Sequence, residues 1–140
     1  MIPLYAQDHD FSQYSVLAVD DIPLNLILVQ KMLARYNFKL RTASNGVQAL
    51  DAVAQEKPDL ILLDLMMPGI DGFEVIRRLR ENPRTADVRI VILSALNSQE
   101  DVSKGFNLGA HDYIVKPIIM EKLLSCVITQ LQVVEAMRKK

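Results

Sequence analysis

The sequence predicts an α/β protein with a doubly wound (βα)5 architecture, a three-layer sandwich around a parallel five-stranded sheet. Short, wholly apolar runs recur along the chain, as at residues 16–19, 60–63 and 90–93. Such uninterrupted runs are typical of strands that are buried on both faces of a parallel sheet. Between the runs, apolar residues recur at spacings of three and four, which indicates amphipathic helices. Right-handed crossovers would place these helices on both faces of the sheet.

Strand and helix segments alternate without a break from residue 15 onwards. The predicted strands cover residues 15–19, 39–43, 60–64, 89–94 and 112–115. The predicted helices cover residues 23–36, 46–56, 72–81, 98–108 and 119–137. The sequence shows no internal repeat and no second globular segment, so its 140 residues are expected to form one domain.

The first βα unit begins with the apolar strand 15–19. Pro23 lies near the start of the following helix, where proline is tolerated because the first amide groups have no partner in the helix. Asn37 marks the end of this helix, and one of its faces carries apolar residues at helical spacing: Val29, Met32, Leu33 and Tyr36. That face is expected to lie on the sheet.

The second unit pairs strand 39–43 with a helix that carries Val47, Leu50 and Ala54. These three residues are spaced three and four apart, so they fall on one face of the helix. We expect this face, too, to lie on the sheet.

The third and fourth helices carry recognisable start and stop signals. Asp71 precedes Gly72 at the start of the third helix. Ser98, with Asp101 three residues later, marks the start of the fourth as a capping box does. Gly109 marks the end of that helix, and the last strand follows it.

Both ends of the chain lie outside the predicted domain of residues 15–130. Residues 1–14 show no periodicity and are expected to form a loosely held N-terminal arm. Apolar residues of the last helix recur at spacings of three and four and continue past residue 130: Leu124, Val127, Leu131, Val134 and Met137. Residues 131–140 are expected to extend that helix, either as a frayed end or as a linker that pairs two copies or leads to an output domain.

The composition excludes several classes of function. Sixteen basic and seventeen acidic residues give a formal charge of −1, which argues against nucleic-acid binding and a polybasic membrane patch. Cys126 is the one cysteine, so no internal disulfide forms and a reducing compartment fits. Neither a signal peptide nor a membrane-spanning run is visible, and a cytoplasmic location without membrane contact is expected.

Polar side chains follow four of the predicted strands. Asp20 and Asp21 follow the first strand, Asp64 closes the third, Ser94 ends the fourth and Lys116 follows the fifth. Because the carboxyl ends of parallel strands share one edge of the sheet, these groups are expected to converge on a shallow crevice.

Three carboxylates in one crevice predict a divalent cation. At ~4 Å, two carboxylates repel each other by roughly 4 kcal/mol at an effective dielectric of ~20, and a cation relieves this repulsion. Oxygen ligands select Mg²⁺, or Mn²⁺, over zinc. Magnesium usually binds phosphate oxygens as well, so the crevice suits phosphoryl transfer with Asp64 as nucleophile. Ser94 and Lys116 would share the charge on the phosphoryl oxygens.

These residues resemble the receiver domain of bacterial two-component response regulators, a chemotaxis-type, flavodoxin-like fold with strand order 2-1-3-4-5. The resemblance covers about residues 15–130. It is carried by four segments in the same order: Val19-Asp20-Asp21, Asp64-Leu65-Met66-Met67-Pro68-Gly69, Ser94-Ala95 and Tyr113-Ile114-Val115-Lys116-Pro117. Together they form a specific signature, and it implies a phosphorylation-controlled signalling switch.

The resemblance implies that Asp64 is the phosphoacceptor. Asp21, Asp64 and the main-chain carbonyl of Met66 would bind Mg²⁺, and Asp20 would assist through water. The phosphoryl donor would be a phosphohistidine on a histidine kinase or a histidine phosphotransfer protein.

The resemblance also implies how the signal leaves the site. Ser94 and Lys116 would each contact a phosphoryl oxygen, and the Lys116-Pro117 peptide bond would be cis. Tyr113 would be the switch aromatic, turning into the space that Ser94 vacates. The surface formed by the last two helices and the strand between them would change shape. This change would then control a downstream output protein or a covalently linked output domain.

Two positions lack the polar side chains that could speed loss of the phosphoryl group. Met66 stands two residues after Asp64, and Leu96 stands two residues after Ser94. Neither side chain can orient an attacking water, so slow self-dephosphorylation is expected. Residues 121–126 also lack the arginine that winged-helix transcription factors tend to carry in this helix, which disfavours that class.

Two rival functions are weighed against the switch. An aspartate-nucleophile phosphatase that resembles the haloacid dehalogenases needs a second acid two residues after the nucleophile, and Met66 occupies that position. The second rival is a receiver-like protein-binding module that is never phosphorylated. Such a module would not need the acceptor, the metal-binding acids or the lysine, and this sequence has all of them.

Overall fold

The computed structural model describes residues 10–139 of the chain, and within them the ten predicted elements form the predicted α/β sandwich. The strands are β1 (Ser15–Val19), β2 (Lys39–Ala43), β3 (Leu60–Leu63), β4 (Arg89–Ser94) and β5 (Asp112–Val115). The helices are α1 (Pro23–Leu33), α2 (Gly46–Gln55), α3 (Gly72–Glu81), α4 (Gln99–Leu108) and α5 (Met120–Arg138).

The five strands form one parallel sheet in the order β2-β1-β3-β4-β5. This order confirms the fold class and the flavodoxin-like topology. The residues of β3 are fully buried, as their uninterrupted apolar run predicts. Burying each such aliphatic side chain contributes about 1.5–3 kcal/mol, so the central strands supply much of the driving force for folding.

Two hydrophobic cores lie on opposite faces of the sheet. The first lies under α1 and α5, where Leu26 and Val29 meet Leu123 and Val127. The second lies under α2, α3 and α4 and includes Tyr113 among its buried residues. The alternating strand residues divide between the two cores, as a sheet with both faces covered requires.

The predicted signals of α3 and α4 coincide with the observed ends of these two helices. The side chain of Asp71 accepts a hydrogen bond from the Glu74 amide at 2.9 Å, and Ser98 accepts one from the Asp101 amide at 3.1 Å. Gly109 follows α4 in the left-handed conformation, with φ of 116°. The caps fix where α3 and α4 begin and where α4 ends.

The predicted bounds agree with the observed ones to within one residue, except at the end of the first helix. The first helix ends at Leu33 rather than at residue 36, because Tyr36 turns to pack its ring edge-on against Phe11 at 5.3 Å between centroids. β3 ends at Leu63, so Asp64 is the first residue of the loop rather than the last of the strand.

The predicted inner face of α2 is wrong at two of its three residues, because Leu50 packs against the second core whereas Val47 and Ala54 are exposed. Val47 is 54% exposed and Ala54 is exposed, whereas Gly46, Ala49 and Val53 are buried. Small residues bring the helix close to the loop before α3: a Cβ at position 46 would lie 2.7 Å from the Ile70 carbonyl oxygen. The close approach of α2 to this loop therefore decides which face of the helix is buried, and it selects small residues over larger apolar ones.

Part of the segment expected to be a loose arm packs in the first core. Phe11 and Tyr14 are buried, and the amide of Phe11 donates to the Asn37 side chain at 3.3 Å. Residues 1–9 lie outside the described part of the chain. The domain boundary at residue 15 stays a prediction.

The apolar spacing of the last helix is accounted for by packing on the sheet as far as Leu131, whereas Val134 is only partly buried and Met137 is exposed. Leu124, Val127 and Leu131 are buried in the first core, so they are not available to a coiled coil. The guanidinium of Arg138 pairs with Asp59. The pairing of two copies and a linker role for residues 131–140 stay predictions. None of the helices in residues 10–139 combines the length and the hydropathy needed to cross a bilayer.

Candidate functional site

The acidic side chains lie at the C-terminal edge of the sheet. Asp20 follows β1 and Asp64 follows β3, and the last residues of these strands, Val19 and Leu63, are partners in the sheet. The Asp64 amide donates to the Val19 carbonyl at 3.0 Å. The Asp20 amide donates to the Ala43 carbonyl at 3.2 Å. Hydrogen bonds of the sheet therefore hold both backbones in place.

The structure brings the three predicted metal-binding acids together. One carboxylate oxygen from each of Asp20, Asp21 and Asp64 lies within 4.8 Å of the others. Asp20 and Asp64 are buried, and Asp21 is partly exposed. A set of carboxylate oxygens at this spacing fits the oxygen ligands that Mg²⁺ and Mn²⁺ prefer. The main-chain carbonyl of Met66 as a further ligand stays a prediction.

Asp20 receives three hydrogen bonds. Its Oδ1 accepts from the Ile22 amide at 2.9 Å. Its Oδ2 accepts from the side chain of Asn25 at 3.1 Å and from the Lys116 ammonium at 2.9 Å. Sequence reasoning misses Asn25, although a polar side chain in the first turn of a helix that starts beside the crevice is a usable signal.

The Lys116 ammonium lies beside both buried carboxylates. Its Nζ is 2.9 Å from Asp20 Oδ2 and 3.6 Å from Asp64 Oδ2. Its amide donates to the Ser94 carbonyl at 2.8 Å, and its peptide bond to Pro117 is cis, as the resemblance implies. A positive charge therefore stands where it can pair with a phosphoryl oxygen on Asp64.

Burial raises the pKa of the Asp64 carboxyl above its ordinary value. The Lys116 ammonium lowers this pKa, as does the Met66 amide, which donates to Asp64 Oδ1 at 3.2 Å. The charges of Asp20 and Asp21 raise it further. The pKa stays raised because Lys116 and the Met66 amide only partly offset the cost of burying the charge, so a divalent cation would stabilise the ionised form.

Ser94 and Tyr113 are joined through Leu96. The Leu96 amide donates to Ser94 Oγ at 3.1 Å, and the Tyr113 hydroxyl donates to the Leu96 carbonyl at 2.6 Å. Ser94 and Tyr113 are both buried. Tyr113 thus points inward, and its movement as a switch stays a prediction.

An apolar hollow of about 480 Å³ lies between the loop after Asp64 and the loop after Ser94. It is lined by Leu65, Met66, Met67, Pro68, Asp71, Phe73 and Leu96. Met66 is 55% exposed, so its side chain forms part of the rim. Met66 and Leu96 occupy the two positions from which a polar side chain could orient a water molecule, and both are apolar.

Exposed apolar side chains flank the other side of the crevice. We name Ile22, Leu24, Ile27 and Leu28, which are all at least 44% exposed, the α1 patch. Ile22 directly follows Asp21, so the patch begins at the acidic cluster. The sequence carries no signal for this patch, because the same residues are equally typical of an ordinary buried helix face.

A model of the family described as the response regulator receiver domain matches residues 16–128. Among curated relatives, the response regulator PleD of Caulobacter vibrioides is 42% identical over 103 residues, which cover 74% of this chain and 23% of PleD. The chain spans about a quarter of the length of the first curated relatives that it matches.

Solved structures match over most of their length. The chemotaxis protein CheY4 of Vibrio cholerae is 30% identical, with a TM-score of 0.78, and the match covers 83% of this chain and 97% of that one. The Mn²⁺-bound form of the response regulator Rcp1 is 28% identical, with a TM-score of 0.72, covering 81% and 88% of the two chains.

Proposed function

Since the chain belongs to the response regulator receiver domain family and is a phosphorylation-controlled switch of two-component signalling, we propose that Asp64 is its phosphoacceptor. The observation that carries this assignment is the position of Asp64, buried and 3.6 Å from the Lys116 ammonium, within 4.8 Å of two further carboxylates. We propose a phosphohistidine of a histidine kinase or histidine phosphotransfer protein as donor. The proposed location is the cytoplasm.

Asp20, Asp21 and Asp64 would hold a divalent cation, with the main-chain carbonyl of Met66 as a further proposed ligand. Mg²⁺ is the proposed ion and Mn²⁺ an alternative. Their support is the oxygen-only ligand set and the similarity to the Mn²⁺-bound Rcp1 structure. When bound, the ion neutralises charge on phosphoryl oxygens.

In the proposed transfer, a carboxylate oxygen of Asp64 attacks the phosphorus of the phosphohistidine. A new O–P bond forms as the P–N bond breaks, and the departing imidazole nitrogen keeps the electron pair and takes up a proton. The product is an acyl phosphate on Asp64. Lys116 would pair with one phosphoryl oxygen and the Ser94 hydroxyl would donate to another.

Intact-protein mass spectrometry tests the assignment. After incubation with acetyl phosphate and Mg²⁺, we expect one added phosphoryl group, which maps to Asp64 and is absent when EDTA removes the metal. No addition to the folded protein would contradict the assignment and favour the module that is never phosphorylated. The phosphatase rival has no support, because Met66 occupies the place of its general acid.

We expect the acyl phosphate to be long-lived. Met66 and Leu96 line a hollow beside the loop that follows Asp64, and because both side chains are apolar, neither directs water at the phosphorus. Replacing both, as Met66→Asn with Leu96→Glu, should shorten the half-life about tenfold or more, since positioned polar groups accelerate such steps. Phe106→Asn, at an exposed apolar residue of α4, should leave it unchanged. A wild-type half-life of seconds in Mg²⁺ buffer would disprove this expectation.

The α1 patch is the proposed contact for the phosphohistidine protein, because it borders the acceptor and exposes apolar side chains. Leu24→Glu should lower the rate of transfer from a phosphorylated histidine phosphotransfer protein about tenfold, as loss of a central contact does. Its labelling by acetyl phosphate should not change. Gln30→Glu adds the same charge at an exposed polar position of α1 and should change neither rate. An equal loss in both variants would assign the effect to charge alone.

A further inference from the structure

α4 rests on the sheet through a glycine. Among the described residues of α4, Gly105 alone is buried. Val102 and Leu108 are partly buried at the edge of the second core. The residue by which the helix is buried against the sheet therefore has no side chain.

The ring of Tyr113 lies in the room that this glycine leaves. A Cβ atom at position 105 would lie 3.4 Å from Cδ2 and 3.5 Å from Cε2 of Tyr113, and 2.7 Å from Cδ1 of Ile92. A single methyl group would touch the ring at ordinary contact distance and displace the end of Ile92. A longer side chain would extend into the space of the ring itself.

The position of the ring is linked to Ser94 by two hydrogen bonds. Tyr113 donates to the Leu96 carbonyl, and the Leu96 amide donates to Ser94 Oγ. The backbone of Leu96 is therefore held at both ends, its carbonyl by Tyr113 and its amide by Ser94. Displacement of Tyr113 removes one of these two restraints from the loop.

We propose that Gly105 is a positioning residue that keeps Tyr113 inward and thereby holds the Leu96 loop in the arrangement that presents Ser94 to the phosphoryl group. The part concerning phosphorylation rests on the proposed function of Asp64 and Ser94. By linkage, whatever shifts Tyr113 outward weakens phosphorylation by the same coupling, and phosphorylation favours the inward ring.

The test uses protein labelled with 3-fluorotyrosine, in which the ¹⁹F resonance of Tyr113 is assigned from a Tyr113→Phe variant. Gly105→Leu should move this resonance toward that of a solvent-exposed tyrosine, before any phosphorylation. It should also lower the rate of labelling by acetyl phosphate about tenfold, which is less than the loss of an entire transition-state hydrogen-bond donor costs. Asn107→Leu adds the same side chain at an exposed position of α4 and should change neither readout.

An unchanged Tyr113 resonance in folded Gly105→Leu protein would overturn the proposal, whatever the labelling rate. If circular dichroism shows that this variant is unfolded, Gly105→Val carries the test, with a smaller shift expected in the same direction and no shift overturning it. Failure of the wild type to accept a phosphoryl group would remove the proposed function but leave the resonance test of Gly105 valid.

Discussion

Asp64→Asn is expected to remain free of phosphoryl adduct in acetyl phosphate and Mg²⁺ and, in metal-free buffer, to unfold at a higher temperature than the wild type. The first effect follows because an amide has no carboxylate oxygen with which to attack phosphorus. The second follows because burial raises the pKa of Asp64, so the folded protein disfavours the ionised carboxylate. The amide oxygen can still accept the Met66 amide hydrogen bond. Mass spectrometry and thermal unfolding measure the two effects.

The gain in stability should depend on pH. Because the folded-state pKa of Asp64 is raised, the unfolded chain releases this proton at lower pH than the folded protein. The wild type therefore loses stability relative to Asp64→Asn as pH rises from the unfolded value through the folded pKa. Urea unfolding at several pH values should give the smallest difference in acid and a constant, larger one above the folded pKa.

Asp51→Asn is the matched control, because Asp51 is exposed on α2. It should accept the phosphoryl group and show little change in stability, since surface substitutions usually change it by less than about 0.5 kcal/mol. A less stable Asp64→Asn protein at neutral pH would contradict the physical account of the site.

Gly72→Ala should lower the free energy of unfolding by about 3 kcal/mol, at the upper end of the range for overpacking. A Cβ at this first position of α3 would lie 2.7 Å from Leu65 Cα and collide with the carbonyl oxygen of Asp64. Both obstacles are backbone atoms of the loop that carries the acceptor, so no side-chain rotation relieves them. Urea unfolding measures the loss, and labelling by acetyl phosphate should fall as well.

Gly69→Ala measures the stability cost of an unfavourable backbone conformation without the steric crowding that is present at position 72. Gly69 has φ of 77° and nothing within 4 Å of its Cβ position, so alanine there pays only for the left-handed conformation, about 1–2 kcal/mol. The loss for Gly72→Ala should exceed that for Gly69→Ala. The reverse order would show that contact with the Asp64 loop does not limit position 72.

Features that depend on neighbouring residues were predictable from the sequence. The apolar runs locate the strands, and Asp71, Ser98 and Gly109 mark helix ends because a cap acts within one turn. The acids, Ser94 and Lys116 were found because parallel strands bring their C-terminal ends to one edge.

Features that depend on distant contacts were not predictable. The inner face of α2 is set by the close approach of Gly46 to Ile70, which periodicity cannot show. Phe11 and Tyr36 meet across the chain, and their packing both shortens α1 and adds Phe11 to the core. Asn25 reaches Asp20 only once α1 has docked beside the crevice.

The anchorage of α5 has a consequence for protein engineering. Asp59 pairs with Arg138 through one carboxylate oxygen and accepts the Ser15 amide through the other, at 2.8 Å. The last turn of the helix is thereby fastened to the start of the central strand β1. A fluorescent protein joined directly after Arg138 would be attached rigidly and not through a flexible linker. Its orientation would therefore follow rotations of α5.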